Sequence, residues 1–330
     1  MDFSIIIPCY NAAATIGRCL DSIYSQGLKE TDFEVICVDD CSPDPASVTA
    51  IETYTFQSRR PTNLLLLHHS TNRRQGAARN TGLATAKGDY VLFIDADDYY
   101  MAGTLRQLQE AKRENDSLDF IMFDGIREEG NEVSPFSQHN TSDIMSGSDF
   151  FLRQAVPLGP VLLMYRRNCM LQRGFHFPEN VLFEDTPAVV RFIIESQQCR
   201  FVPVCAYYYT MAPDTEHTTN IGNNPRKIID FFTFANRMYE VYETARSRNQ
   251  AVADKLMTDY VIYYRRLLVR YIWRLPFTTL LNTLKENRLP AKTGDSVTDA
   301  ITDHPALIAT ALTLLKPLLY IAAGLKHIIK

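Results

Sequence analysis

The sequence predicts an α/β fold, with a mostly parallel sheet covered by helices on both faces and a helical C-terminal extension. Through the first half of the chain, nearly continuous apolar runs of strand length alternate with helical patterns. Such runs are typical of parallel strands buried on both faces, and the alternation is typical of strand–helix–strand units. From about Arg226 onward the pattern is helical alone, which predicts the extension.

Five strands and four helices are predicted in this first half. The strands are the apolar runs 3–7, 33–40, 64–69, 90–95 and 119–124. The helices are predicted from Asn11 as N-cap, from about Ala46, over 76–87 and over 103–115. The first helix is expected to bury Ile16, Leu20 and Ile23, which share one face. The order of the strands does not follow from periodicity.

The composition limits the class of protein. With 46% hydrophobic and 22% charged residues the chain is an ordinary globular protein, and its net charge of −4 excludes a generally basic nucleic-acid binder. Residues 226–290 nevertheless carry 12 basic against 6 acidic side chains, which suggests an anionic lipid or acceptor there. The seven scattered cysteines predict a reducing, cytoplasmic location. No signal peptide is expected, because Asp2 stands where basic residues should be.

Unusual polar residues follow three of the predicted strands. Asp95, Asp97 and Asp98 end the fourth strand, Asp39-Asp40 end the second, and 8–11 follow the first. Ligands of parallel sheets bind beyond the carboxyl ends of the strands, so these residues are expected to line one site. Carboxylates this close repel one another unless a cation holds them ionised, and oxygen ligands suit Mg²⁺ or Mn²⁺. The alternative is that Asp97 or Asp98 caps the following helix.

Two stretches of the extension bear on a membrane. In 254–275, three arginines share one helix face: Arg266, Arg270 and Arg274. A packed helical lid with solvated arginines is favoured over an interfacial helix, because tertiary packing explains most amphipathic helices. Residues 305–325 are apolar and about long enough to span a bilayer, but Lys316-Pro317 argue against a simple span.

Four segments, in this order, resemble the family 2 (GT2) glycosyltransferases of the GT-A fold. They are SIIIPCYNAAATIGRCLDSIYSQ, FEVICVDDCSPD, NRRQGAARNTGLATAKGDYVLFIDADDYYMAGTL and VLLMYRRNCMLQRGFHFPENVLFED. The resemblance runs from Phe3 to about Tyr209. It implies a nucleotide-sugar donor, a divalent cation, and inversion at the anomeric carbon without a covalent intermediate.

The resemblance assigns donor-binding roles to the residues that match the family's motifs. Pro8, Tyr10 and Asn11 match the first nucleotide-binding loop, in which the tyrosine flanks the base. Asp39 and Asp40 match the acidic pair that reads the base, and a carboxylate facing the imide N–H of uracil is a sound donor–acceptor match. The segment that lies against the nucleotide and diphosphate is matched by Asn72, Gly76, Arg79 and Asn80.

The resemblance also implies metal ligands. Asp95-Ala96-Asp97 form the DxD motif, in which Asp97 is expected to hold Mn²⁺ or Mg²⁺ and Asp95 to face the ribose or the metal. Asp98 is a further candidate ligand. His217 is another, near the position where relatives carry a metal-binding histidine, although a solvent-exposed loop histidine is the commoner outcome.

The resemblance also implies a general base, and it is broken at one position. Glu184-Asp185 matches the family's ED pair, with Asp185 as the base that takes the proton of the acceptor hydroxyl. The alternative for Asp185 is a helix N-cap ahead of Pro187. The glycine that usually follows the acidic pair is Cys41 here, so the backbone angle of that turn is a question for the structure.

Taken together, these observations predict a cytoplasmic, metal-dependent, inverting glycosyltransferase of the hexosyltransferase type. The expected domains are a catalytic GT-A domain at 1–215 and a helical region at 216–330, which touches an anionic membrane or the acceptor. The expected donor is a UDP-sugar, and the expected acceptor is a hydroxyl of a glycan or lipid-linked sugar in surface polysaccharide synthesis.

Three other functions are weighed against this prediction. A sugar-1-phosphate nucleotidyltransferase needs a glycine-rich loop after the first strand, which PCYNAAATIG lacks. A dehydrogenase is disfavoured because no G-x-G-x-x-G follows a strand. A catalytically weak nucleotide-sugar-binding protein is the non-enzyme alternative, against which Asp97 and Asp185 weigh.

Overall fold

The structure, a computed structural model, describes most of the 330-residue chain. The described residues are 1–129, 132–135, 142–153, 159–210, 225–263, 265, 271–287, 293 and 295–328. His217 and the arginines at 266 and 270 lie outside them. The chain divides into two compact units, Met1–Thr215 and Glu216–Lys330.

The first unit is built on one sheet of nine strands among the described residues. The strands are β1 (Phe3–Cys9), β2 (Phe33–Asp39), β3 (Leu64–His68), β4 (Tyr90–Phe93), β5 (Tyr99–Tyr100), β6 (Phe120–Glu129), β7 (Glu132–Pro135), β8 (Leu163–Arg166) and β9 (Cys199–Tyr209). Their order is β3-β2-β1-β4-β8-β6-β9-β5, with β7 paired to β6 outside this path. β1 to β4 are parallel, whereas β8 is antiparallel to both β4 and β6. The predicted α/β fold with a mostly parallel sheet is confirmed.

Seven helices of the described chain alternate with these strands. They are α1 (Ile16–Tyr24), α2 (Ala46–Glu52), α3 (Arg74–Thr85), α4 (Thr104–Glu114), α5 (Gly147–Arg153), α6 (Arg167–Gln172) and α7 (Asp185–Glu195). A short 3₁₀ turn at Pro160–Leu162 precedes β8. The predicted burial of Ile16, Leu20 and Ile23 on one face of α1 is confirmed.

Two predictions of helix caps are wrong. α1 begins at Ile16, because Asn11 lies in a turn with φ +52° and its N–H donates to Ser42 Oγ at 3.0 Å. α4 begins at Thr104 after Gly103, whose φ of +76° ends the preceding turn, so neither Asp97 nor Asp98 caps that helix. The acidic residues of the DxD segment are therefore not explained by helix capping.

The alternation of strands and helices, which the sequence indicated for the first half of the chain, continues beyond it. β8 follows α5, and β9 follows α7. β8 has only four residues, and exposed residues interrupt β9, so neither strand forms the long apolar run that marked the earlier strands.

The strand register brings the polar ends of the strands to one edge of the sheet. Cys9, the last residue of β1, is paired with Asp39, the last residue of β2, which is paired with His68 at the end of β3. On the other side of β1, Ile6 is paired with Phe93, the last residue of β4. The loops that follow β1, β2 and β4 therefore leave the sheet side by side.

The second unit is helical, which confirms the predicted extension. Its helices are α8 (Pro225–Arg246), α9 (Gln250–Leu256), a π-helical turn at Met257–Ile262, α10 (Phe277–Glu286), α11 (Ser296–Asp303) and α12 (Pro305–Ile328). Within the described part of the chain, no helix is long and apolar enough to cross a membrane.

We expect Gly82→Ala to destabilise the first unit, because a Cβ at this position of α3 would lie 2.4 Å from Ile6 Cγ2 in the core. Overpacking of this kind lowers the free energy of unfolding by about 1–3 kcal/mol. Gly17→Ala in α1 is the matched control, since a Cβ there meets nothing within 4 Å and should raise stability by up to about 1 kcal/mol. Urea denaturation measures both changes, and equal effects would contradict the close packing of α3 on β1.

Candidate active site

The loop after β1 and the acidic pair after β2 form one hydrogen-bonded wall of the site. Asn11 N–H donates to Ser42 Oγ, which donates to Asp39 Oδ1 at 2.5 Å, and Ser42 N–H donates to Asp39 Oδ2 at 3.2 Å. Tyr10 is 51% exposed, so its ring is open to a flat ligand. Pro8 is buried within β1, where it is paired with Val38 of β2, and the loop leaves the sheet shortly after it.

Asp40 is held by the protein itself. Its Oδ1 lies 2.7 Å from His69 Nδ1 and accepts the Arg73 N–H at 2.9 Å, while His69 Nε2 lies 2.8 Å from Thr81 Oγ1. These contacts fasten the end of β2 to the start of α3. Both carboxylates of the acidic pair are therefore bonded by protein groups, Asp39 by Ser42 and Asp40 by His69 and Arg73.

Cys41, which stands where the family usually has glycine, has an unusual backbone angle. Its φ is +60°, which is the left-handed region that glycine adopts most readily. A cysteine here therefore has a backbone conformation that glycine would adopt more readily.

Arg79 is almost completely enclosed, with 2% of its surface exposed. Its Nη1 donates to Glu184 Oε1 at 2.8 Å, and its Nη2 donates to Asp95 Oδ1 at 2.8 Å. Nη2 also donates to Gln75 Oε1 at 2.8 Å. The resemblance placed Arg79 against a diphosphate, whereas its contacts in the structure join the DxD segment to the ED pair.

Two other residues of α3 that were matched to the donor site hold the 176–184 segment instead. Asn80 Nδ2 donates to the Phe177 carbonyl at 2.8 Å, and Asn80 Oδ1 accepts the Phe177 N–H at 2.9 Å. A Cβ on Gly76 would lie 2.3 Å from the Pro178 carbonyl, so only glycine allows this approach. Asn72 is exposed at the start of the helix, and its Oδ1 accepts the Arg74 N–H at 3.3 Å.

The three carboxylates after β4 have different surroundings. Asp95 and Asp97 are partly exposed, whereas Ala96 and Asp98 are buried. Asp98 accepts a hydrogen bond from Tyr207 Oη at 2.5 Å and another from the Thr210 N–H at 2.7 Å. Burial and the neighbouring charge of Asp95 raise the pKa of Asp98 to about 8. The two hydrogen bonds to Asp98 thus hold the turn after β4 against the end of β9.

Few side chains of the site could serve as metal ligands. Within the described ranges no three His, Cys, Asp or Glu side chains are grouped so that they could hold a metal ion. Asp97 and Asp95 are hard oxygen donors with partial access to solvent, which fits Mg²⁺ or Mn²⁺ only if phosphate and water complete the shell. His217, the other candidate ligand, lies outside the described residues.

The ED pair lies at the start of α7. Glu184 is the N-cap residue and makes no side-chain capping hydrogen bond, and Asp185 is the first residue of the helix. The Thr186 N–H donates to Asp185 Oδ1 at 2.8 Å. Burial raises the pKa of Asp185, and it raises that of Glu184 to about 7, while Arg79 opposes both shifts. An aspartate whose proton affinity is raised in this way is suited to act as a base.

Sequence reasoning missed several residues that shape the site. Arg18 Nη2 donates to the Asp97 carbonyl at 2.6 Å and to Thr210 Oγ1 at 3.1 Å. The Arg18 guanidinium also lies 5.0 Å from the centre of the Tyr99 ring, which stacks on Tyr208 at 4.4 Å. The only sequence signal was the aromatic run AYYYT, which gives no partner for any of these side chains.

We expect Arg79→Lys to lower the free energy of unfolding by about 2–4 kcal/mol, because Arg79 reaches Glu184 and Asp95 through two different nitrogens of a planar fork, which a compact ammonium lacks. Arg59→Lys is the matched control, since Arg59 forms an exposed ion pair with Glu30 that should be worth less than about 1 kcal/mol. Chemical denaturation of both variants tests this. If both variants lose less than about 1 kcal/mol, the ion pairs of Arg79 with Asp95 and Glu184 contribute no more to stability than an exposed ion pair.

The chain is similar in sequence to glycosyltransferases of known name. A poly(ribitol-phosphate) beta-glucosyltransferase of Bacillus spizizenii is 30% identical over 221 residues, which cover 66% of this chain and 33% of that protein. The poly(ribitol-phosphate) beta-N-acetylglucosaminyltransferase TarS of Staphylococcus aureus is 28% identical over 264 residues, which cover 79% of this chain and 44% of TarS. The chain thus spans a third to less than half of the length of these relatives.

Solved structures show the same fold. The crystal structure of S. aureus TarS 1-349 in complex with UDP matches with a TM-score of 0.69 at 22% identity, covering 98% of this chain and 87% of that one. The mannosyltransferase PcManGT from Pyrobaculum calidifontis, in complex with GDP-Man and Mn²⁺, matches with a TM-score of 0.51 at 17% identity, covering 95% and 86%. The family model described as Glycosyl transferase family 2 matches residues 4–176, and the chain belongs to that family.

Proposed function

We propose that the protein is a metal-dependent, inverting glycosyltransferase that moves a sugar from a UDP-sugar to a hydroxyl of a surface polymer. The observation that carries this proposal is the Arg79 bridge, which holds Asp95 of the DxD motif and Glu184 of the ED pair on one guanidinium. A donor site and a base site must lie this close for a hydroxyl to attack a sugar bound by its diphosphate.

The donor is proposed to be a uridine nucleotide sugar. Tyr10 offers an exposed ring for a base, and Asp39 offers a carboxylate that can accept the imide N–H of uracil. Solved structures of TarS hold UDP and UDP-GlcNAc, which supports a uridine donor here as well. The sugar itself is not specified by these contacts.

A divalent cation is proposed at Asp97, with Asp95 beside it. When bound, Mn²⁺ or Mg²⁺ would neutralise the charge that develops on the departing diphosphate. Asp97 would hold the cation, and Asp95 would be kept in its orientation by Arg79. The Mn²⁺ in PcManGT is consistent with such a site in this fold.

Asp185 is proposed as the general base. It would accept the proton of the acceptor hydroxyl as the hydroxyl oxygen attacks the anomeric carbon and the bond to the diphosphate breaks. Because the attack occurs opposite to the leaving group in one step, the configuration at that carbon would be inverted. Proton transfer to a positioned base contributes about 10²–10⁴ in rate.

The acceptor is proposed to be a hydroxyl of an anionic surface polymer, with poly(ribitol-phosphate) as the first compound to try. Relatives named for this polymer support that choice. The unit Met1–Thr215 would carry catalysis, and the unit Glu216–Lys330 would meet the acceptor or a membrane. Seven free thiols are consistent with a cytoplasmic reaction at the inner face of the membrane.

A nucleotide-sugar-binding protein without transferase activity is the alternative. It would bind UDP-sugar with Mn²⁺ and would neither transfer nor hydrolyse it. The raised pKa values of Glu184 and Asp185 favour the enzyme, because carboxylates with perturbed pKa values cluster at catalytic sites.

Two substitutions should separate donor chemistry from acceptor chemistry. We expect Asp97→Ala to abolish Mn²⁺-dependent binding of UDP, and transfer with it. Asp185→Asn should leave UDP binding near the wild-type value while transfer falls by about 10²–10⁴, because the amide keeps the shape and loses the proton acceptor. Calorimetry with UDP beside a transfer assay measures both.

The control for this pair is Asp116→Asn, an exposed aspartate outside the site, which should change neither quantity. The general-base role is wrong if Asp185→Asn transfers at the wild-type rate, or if it loses UDP binding as Asp97→Ala does. Tighter binding of GDP than of UDP would contradict the uridine donor alone.

The rate of transfer should also depend on pH. Asp185 acts as a base only when it is ionised, and burial raises its pKa, so the rate should rise with pH through a midpoint above the ordinary aspartate value of about 4. Because Glu184 titrates beside it, the midpoint belongs to the pair. A pH–rate profile at saturating substrate measures it, and a rate that is constant down to pH 4 would contradict the role of the pair.

A further inference from the structure

Helix α1 bonds the main chain of both aspartates of the DxD motif. Arg18 Nη2 donates to the Asp97 carbonyl at 2.6 Å, and the Cys19 thiol donates to the Asp95 carbonyl with a sulfur–oxygen distance of 3.8 Å. The bond from Arg18 is the stronger of the two, because its donor is charged and a thiol is a weak donor. Two neighbouring residues of one helix thus hold the turn that carries the motif.

The end of β9 bonds the same turn. Asp98 accepts hydrogen bonds from Tyr207 Oη and from the Thr210 N–H, and Arg18 Nη2 also donates to Thr210 Oγ1 at 3.1 Å. The carbonyl of Asp97 and the side chain of the residue after it are therefore both bonded by protein groups. These bonds fix the direction of the Cα–Cβ bond of Asp97 and leave only rotation about its side-chain bonds.

The guanidinium of Arg18 is itself oriented by an aromatic ring. It lies 5.0 Å from the centre of the Tyr99 ring, which stacks on Tyr208 with 4.4 Å between the ring centres. A planar guanidinium can lie on such a ring and donate from its edge, which a lysine ammonium cannot reproduce. Arg18 is exposed, so its replacement should cost the fold little, and an effect on the site can be measured in a folded protein.

The charge of Arg18 and its hydrogen bonds act on a cation in opposite directions. A guanidinium close to Asp97 repels a divalent cation held there, so the charge alone would weaken metal binding. The bond to the Asp97 carbonyl keeps the ligand in one orientation, which strengthens metal binding. The sign of the effect of removing Arg18 therefore shows which of the two contributions is larger.

We propose that Arg18 is a positioning residue for the divalent cation. It holds the main chain of Asp97 so that the carboxylate is preorganised as a metal ligand, and this contribution exceeds the repulsion between its charge and the metal. Arg18 acts through Asp97 and binds neither the metal nor the diphosphate. The inference rests on the metal site at Asp97 that belongs to the proposed function.

Calorimetry with UDP, in Mn²⁺ and in EDTA, tests this role. The quantity compared is the gain in UDP affinity from the metal, which is the Kd in EDTA divided by the Kd in Mn²⁺. We expect Arg18→Met to lower this gain about tenfold, because loss of a residue that orients a metal ligand typically costs about 10–100-fold in metal affinity. Arg18→Lys, which keeps the charge and loses the planar group, should also lower it.

The matched control is Arg106→Met. Arg106 in α4 is exposed and its Nη2 donates to a main-chain carbonyl, that of Gly27, at 2.9 Å, so it resembles Arg18 in everything except its place in the fold. The gain should be unchanged in this variant. Melting curves establish that all three variants are folded.

Four outcomes would overturn the proposal. An equal gain in wild type and Arg18→Met would mean that Asp97 needs no support from Arg18, and a larger gain in Arg18→Met would leave Arg18 only its repulsive charge. A loss of UDP affinity that is equally large in EDTA and in Mn²⁺ would make Arg18 a ligand of the diphosphate. A wild type without any gain would overturn the metal site of the proposed function as well, whereas the other three outcomes leave that site standing.

Hydrogen exchange in the metal-free protein tests the turn without any ligand. The Asp98 N–H donates to the Asp95 carbonyl at 3.1 Å, and the Thr210 N–H donates to the Asp98 carboxylate, so both amides report on the turn. We expect both to exchange several-fold faster in Arg18→Met and at the wild-type rate in Arg106→Met, because local opening is easier without the bonds from Arg18. Unchanged exchange in Arg18→Met would contradict the proposal.

Discussion

The buried guanidinium of Arg79 is the contact on which the arrangement of the site depends. A charge that is 2% exposed is tolerated only when opposite charges and hydrogen bonds replace its water, and Asp95 and Glu184 supply them from the end of β4 and the start of α7. Gly76 lets the segment before α7 approach α3 closely enough for this bridge. Movement of either carboxylate would leave Arg79 partly unpaired, so the DxD segment and the ED pair are held at a fixed separation.

Periodicity predicted the first four strands because each contains an apolar run; β1, β2 and β4 are buried throughout, whereas β3 is partly exposed. It failed for β8, which is short, and for the start of α1, where a turn at Asn11 precedes the helix. Family motifs pointed to residues that the fold brings to one edge of the sheet, but they could not give the hydrogen-bond partners of those residues. Arg79 and Glu184 are 105 residues apart, and Asp98 and Tyr207 are 109 apart, distances at which local pattern carries no information.

Cys41 shows how surroundings can set a backbone conformation against residue preference. A left-handed conformation costs an ordinary residue roughly 1–2 kcal/mol relative to glycine. Here the flanking bonds between Ser42 and Asp39, and between Asp40 and the start of α3, define where the chain must turn. The turn is thus held by its neighbours, and the identity of the residue within it is secondary.

The contacts between the DxD turn and the end of β9 limit how this chain can be recombined with its relatives. Asp98 accepts hydrogen bonds from Tyr207 and from the Thr210 N–H, and Arg18 joins the Asp97 carbonyl to Thr210 Oγ1. A crossover anywhere between Asp98 and Thr210 would pair an acidic turn from one parent with a strand end from the other, and the buried carboxylate would meet foreign donors. A chimaeric enzyme that keeps residues 1–210 from one parent and takes only its C-terminal helices from the other would inherit the turn and its supports as a set.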